Sequence, residues 1–68
     1  MLTAGRNPGY ALRDLAACAD RETKLRRKVY ANRVETGRMS RQQADTEIRK
    51  MEAIAELLAE AAKSERLL

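Results

Sequence analysis

The sequence predicts an all-α protein, two helices folded back on each other as an antiparallel hairpin that dimerises into a four-helix bundle. Three observations predict it. Between Tyr10 and Thr36 there is neither Gly nor Pro, and Ala, Leu, Arg, Lys and Glu dominate, the residue types that favour a helix most. Gly37 then interrupts the pattern, and Ser40-Arg41-Gln42-Gln43 follows at once, so a helix stop stands beside a helix start. Beyond it, Ala44, Ile48, Met51, Ala55, Leu58 and Ala62 recur at alternating steps of four and three, the spacing that keeps side chains on one helix face.

Residues 1–9 contain Gly5, Asn7, Pro8 and Gly9 and read as a flexible N-terminal tail. Asn7 or Gly9 would stand near the helix start, with Pro8 as a candidate first-turn residue. Residues 10–68 form the hairpin, its first helix running over about 10–36. The apolar positions Ala11, Leu15, Cys18, Leu25 and Val29 make an a/d-type seam whose missing beat is Glu22, and Arg26, one turn on, is the local partner for that carboxylate. Tyr30 and Val34 widen the stripe toward the C-terminal end. Asp20 with Thr23 offers a second cap that would divide the helix, but the apolar periodicity runs straight through it.

Gly37 opens the turn, 37–40, because a residue without Cβ adopts the left-handed conformation that ends helices. Ser40 and Gln43 form a capping box, in which the Ser40 hydroxyl accepts from the Gln43 amide and the Gln43 side chain reaches back. Asp45 and Glu47 suit the positive end of the helix dipole. The second helix runs over about 41–63, with Ile54, Leu57 and Ala61 widening its stripe, and its alternating alanines let two backbones approach closely. So short a link makes the helices antiparallel neighbours. Pairing outward from the turn sets Val34 near Ala44, Tyr30 near Ile48, and Leu25 or Arg26 near Met51. Two helices alone leave half of each stripe uncovered, and a 68-residue chain buries little core by itself. Leu15, Leu25, Val29, Ile48, Met51, Ile54 and Leu58 are therefore the expected core of hairpin and dimer.

Composition narrows the function. With no His and a single cysteine, Cys18, one chain cannot assemble a zinc finger, a His general base or a Cys–His nucleophile. Cys18 is expected as a small buried residue of the seam. No Gly-rich phosphate loop is present, and a hairpin is expected to offer no concave pocket of useful size, so neither catalysis, a cofactor nor a metal is expected. The longest apolar run, Leu15 to Ala19, is far short of the ~20 residues that span a bilayer. The first residues lack the apolar core of a secretory signal. A soluble cytoplasmic protein with no membrane partner is the expectation.

The charges are uneven. Residues 1–40 hold nine basic and four acidic side chains, and residues 41–68 hold five and six, so the whole +4 excess belongs to the first part. Arg21, Lys24, Arg27 and Lys28 would be the phosphate contacts of a nucleic-acid-binding protein. Against that alternative, Tyr10 and Tyr30 are the only aromatics available for base stacking, and a groove-reading helix-turn-helix has shorter helices and a third one. Glu52, Glu56 and Glu60 form an acidic i,i+4 row, and Arg21, Lys24 and Lys28 a basic one. Like charges so spaced repel, so each row is better placed facing the other.

The stretch Val29-Tyr30-Ala31-Asn32-Arg33-Val34-Glu35-Thr36-Gly37-Arg38-Met39-Ser40, with Ala44, Glu47-Ile48 and Met51-Glu52-Ala53-Ile54, resembles small helical-hairpin proteins encoded by bacteriophages and prophages. Those share a basic run, a Val-Tyr pair, a Gly-Lys/Arg-Met/Leu turn and a Glu-Ile-x-x-Met-x-x-Ile helix. The likeness covers about residues 21–58, and where those proteins often carry a proline after Val-Tyr and a tryptophan before the turn, Ala31 and Arg33 stand here. The resemblance implies an accessory protein that binds a bacterial host protein, such as a regulator, a polymerase or a defence factor. Tyr30, Arg33, Arg38, Met39 and Arg41, near the hairpin end, are the expected contacts, since Arg, Tyr and Met are enriched in interfaces.

Overall fold

A computed structural model describes residues 9–67, with side chains through residue 65; the expected tail over residues 1–8, Pro8 included, lies outside the described residues. Two α-helices follow one another, α1 over Leu12–Glu35 and α2 over Arg41–Leu67, and they pack side by side as an all-α hairpin.

Helix α1 begins two residues later than the sequence suggests. Gly9 is left-handed at φ 99°, and Ala11, at φ −72° and ψ 147°, is the extended residue before the helix, with no side chain capping it. The Ala11 carbonyl accepts from Asp14 and Leu15 at 3.0 and 3.2 Å, and Asp14 places a carboxylate in the first turn, where the dipole favours it. No break occurs at Asp20. Thr23 is 3% exposed and its hydroxyl donates to the Ala19 carbonyl at 2.7 Å, while Asp20 pairs with Lys24 at 3.1 Å. Both residues thus serve the helix interior and not a cap.

The turn is a Schellman closure. Gly37 has φ 77°; its amide donates to the Val34 carbonyl at 3.1 Å, and the Arg38 amide donates to the Arg33 carbonyl at 2.8 Å, so two carbonyls that the helix end would leave unpaired are satisfied. On the far side the Ser40 hydroxyl accepts from the Gln43 amide at 3.0 Å. The return bond from the Gln43 side chain is not formed. Asp45 and Glu47 fall beyond the first turn of α2, which has no acidic residue, so they gain little from a dipole that fades within one turn; Glu47 instead pairs with Lys50 at 3.2 Å. Helix α2 continues about four residues past the expected end, since nothing from Ala61 to Leu67 breaks a helix.

The seam uses α2 as its repeat dictates. Ala44 is buried, and Ile48, Met51, Ala55, Leu58 and Ala62 are half-buried. On α1 the inward face is turned from the expected one. Leu15, Ala19, Thr23, Arg26, Tyr30 and Val34 are buried or half-buried, whereas Cys18, Leu25 and Val29 are exposed. Each of these three lies one residue, about 100° of helix, from its replacement. The reason is steric. Among the described residues Ala19, Thr23 and Ala44 are the buried ones, and such small side chains at the centre of the contact let the backbones approach where a facing Leu or Val would hold them apart. Tyr30 and Val34, which looked like surplus width, are seam residues; Ile54 and Leu57 are not.

Candidate protein-interaction surfaces

The two sides of the hairpin differ in chemistry. One carries a groove along the line where the helices meet. Near the turn it opens into a cavity of about 700 Å³ with Tyr30, Val34, Ala44 and Ile48 among its lining, together with Arg27, Arg41 and Arg49 and the carboxylates Glu35, Asp45 and Glu52. Farther from the turn a second hollow lies against Ala16, Asp20, Thr23, Ala55, Glu56 and Ala59. Arg27 and Glu52 line both, and their ion pair at 2.6 Å is the one salt bridge between the helices among the described residues. Arg41, Arg49, Glu35 and Asp45 make no ion pair with another described residue.

The expected contact residues are only partly brought together. Tyr30 and Arg41 share the groove. Arg33 lies over the Tyr30 ring, its guanidinium carbon 5.8 Å from the centroid, within cation–π range. Arg38 and half-buried Met39 belong to the turn and are not part of the lining. Arg27 and Arg49 were missed as members of this set. Arg27 stands three residues before Tyr30, a spacing that puts both toward one side of α1, whereas Arg49 stands beside Ile48 and no spacing in the sequence points to it.

The basic block does not form a continuous cationic stripe. Lys24 is paired with Asp20 and Arg27 with Glu52, leaving Arg21 and Lys28 as its members without an ion pair to a described residue. Of the expected facing rows, only Glu52 reaches α1, and it meets Arg27, which was in neither row. Glu22 does pair with Arg26, at 3.0 Å, as their spacing suggested.

The other side is apolar. Leu25 and Val29 are each two positions from groove-lining Arg27, and Ile54 is two from Glu52 and from Glu56. Leu57 is two from Ala55 and from Ala59. Two positions are about 200° of helix, so all four look away from the groove, on the same side of the hairpin. Their exposures are 52% for Leu25, 37% for Val29, 47% for Ile54 and 71% for Leu57. Cys18, two positions from Ala16 and Asp20, belongs to the same side. Here the structure turns three expected hairpin-seam residues outward and joins them to Ile54 and Leu57.

Among the described residues no group of three or more His, Cys, Asp or Glu is placed to hold a metal ion, and no helix is long and apolar enough to cross a membrane. Comparison with protein-family models, with curated proteins and with solved structures finds no match for this chain.

Proposed function

We propose that this chain is a non-catalytic accessory protein of the phage type that acts in the bacterial cytoplasm by binding a host protein in the groove beside its turn. The observation that supports the reading is the groove's mixed chemistry, an apolar floor of Tyr30, Val34, Ala44 and Ile48 beneath three guanidiniums and three carboxylates. A protein segment with an apolar face and flanking charges of both signs suits it, as in helix-in-groove recognition. A phosphate backbone does not, because Glu35, Asp45 and Glu52 would repel it, and half of the four expected phosphate contacts are already neutralised. Arg41 and Arg49 are the groove cations that make no ion pair with another described residue, and their guanidiniums suit a partner's carboxylates in bidentate pairs. Arg33 lies over the Tyr30 ring but is not among the residues that line the groove.

The test is capture from a bacterial lysate by the tagged full chain, with and without nuclease at moderate salt. A stoichiometric protein that survives nuclease is expected. Arg41→Glu with Arg49→Glu should weaken it at least about tenfold while helicity is unchanged, and Arg21→Glu with Lys28→Glu should not. Capture that vanishes with nuclease, or that depends on Arg21 and Lys28 and not on the groove, overturns the reading in favour of a phosphate-binding role.

A further inference from the structure

We infer that the side opposite the groove, built from Leu25, Val29, Ile54 and Leu57, is covered by the same side of a second copy of this chain, so that two hairpins make a four-helix bundle with both grooves facing outward. This does not depend on what the groove binds.

Burial within the hairpin leaves a deficit. Among the described residues Ala19, Thr23 and Ala44 are the buried ones, and no large side chain is fully buried. Leu15, Val34, Ile48, Met51 and Leu58 are only half-buried in the seam, and Leu25, Val29, Ile54 and Leu57 stand together on one outer side. A chain with so little interior needs its apolar side covered whenever it is folded. A second copy is present whenever the first is.

Charge points to the same occupant. One turn from these apolar residues, Glu22, Arg26 and Lys50 are paired within the chain, Arg26–Glu22 at 3.0 Å and Lys50–Glu47 at 3.2 Å. Arg21, Lys28 and Arg33 on α1 and Glu60 on α2 make no ion pair with another described residue. The cations left over thus stand on α1 and the carboxylate on α2, so a copy that lays its α1 against the α2 of the other brings unlike charges together.

The size is adequate. Helix α1 has 24 residues, about 36 Å at 1.5 Å each, and two packed helices present a face about 20 Å wide. Two such faces laid together cover roughly 1,400 Å², within the range of specific, stable interfaces.

Sedimentation equilibrium of the full chain across micromolar concentrations tests the inference, with thermal unfolding followed at the same concentrations. A dimer is expected, with an unfolding midpoint that rises with concentration. Leu57→Glu and Ile54→Glu should each weaken it at least about 100-fold, because a carboxylate would be buried unpaired. Arg41→Glu, in the groove, should leave it unchanged. The Cys18 thiol supplies a native reporter, and its reaction with a maleimide should slow as the dimer forms. A folded monomer with a concentration-independent midpoint overturns the inference, as does a dimer that survives both aliphatic substitutions or is dissolved by Arg41→Glu. Where Leu57→Glu does not fold, the concentration dependence of the unaltered chain decides.

Discussion

Gly37→Ala tests the joint on which both surfaces depend. A Cβ at residue 37 would meet no atom within 4 Å, so crowding contributes nothing and the cost is that of holding an L-residue at φ 77°, about 1–2 kcal/mol. The chain has an escape, which is to open the turn. That would forfeit the Gly37–Val34 and Arg38–Arg33 bonds, at 3.1 and 2.8 Å, each worth about 1 kcal/mol, and would also release the angle at which α2 returns. Strain is thus no dearer than escape, and the strained turn should persist. Alanine narrows the unfolded ensemble and returns about 0.4–1 kcal/mol, leaving a net loss of about 1 kcal/mol. For a domain of this size that lowers Tm by about 4–8 °C. The assay is urea and thermal unfolding by far-UV circular dichroism, with all variants at one protein concentration because association moves the midpoint. Gly37→Asn should lose less than Gly37→Ala, since Asn tolerates the left-handed region. A D-alanine placed at residue 37 by chemical synthesis should reverse the sign and stabilise. An L-alanine variant as stable as the parent, or a D-alanine variant weaker than the L form, would refute the reasoning.

Other perturbations separate the remaining contributions. Ser40→Ala removes the hydroxyl that accepts from the Gln43 amide and should cost about 1 kcal/mol in the same unfolding assay. Removing the exposed Asp20–Lys24 pair by Asp20→Ala should change stability by less than about 0.5 kcal/mol; a larger loss would mean that Asp20 acts as the internal cap. Leu58→Asp places a charge in the seam and should abolish cooperative unfolding, and retained cooperativity would contradict the seam. Arg38→Glu should leave stability unchanged, because the backbone amide of Arg38 and not its guanidinium closes the turn. If its partner affinity also stays unchanged in the capture assay, the binding site stops at the groove and excludes the turn.

The hairpin was legible where one local rule had no competitor. Gly37 needs a left-handed residue, Ser40 stands three before a Gln, and both behave as chain-local chemistry dictates. Helix α2 offers one apolar stripe, so Ala44, Ile48, Met51, Ala55, Leu58 and Ala62 could be placed inward from spacing alone. The register followed from the turn, and Tyr30, Val34, Ala44 and Ile48 do meet in one place. Helix α1 offers two stripes. Counting hydrophobicity selects Cys18, Leu25 and Val29, whereas the structure turns in Ala19, Thr23 and Arg26, of which two are polar. Spacing along one helix carries no information about how near its neighbour will come, and that distance decides between the stripes. The groove was equally hidden, because Arg27 and Arg49 line one cavity only through the packing of the two helices.

The choice α1 makes between its stripes is also what gives the molecule two unlike sides. Had Leu25 and Val29 packed into the seam, α1 would have rolled by about 100°, and its outer surface would have been polar on both sides of the groove line. With Ala19 and Thr23 inside instead, the alanines of α2 are matched by residues of similar size, and the bulky aliphatic residues are displaced together onto the flank where Ile54 and Leu57 already stand. The same roll brings Arg27 across to Glu52 on the opposite flank and sets Tyr30 over the floor of the groove. A polar seam weakens the hairpin taken alone, since Thr23 and Arg26 bury less apolar surface than Leu and Val would. It leaves four aliphatic side chains on one side as surface for association, and it keeps the charged groove on the other. In the dimer inferred above, stability moves from inside the hairpin to the contact between hairpins, and the groove stays open on the opposite side.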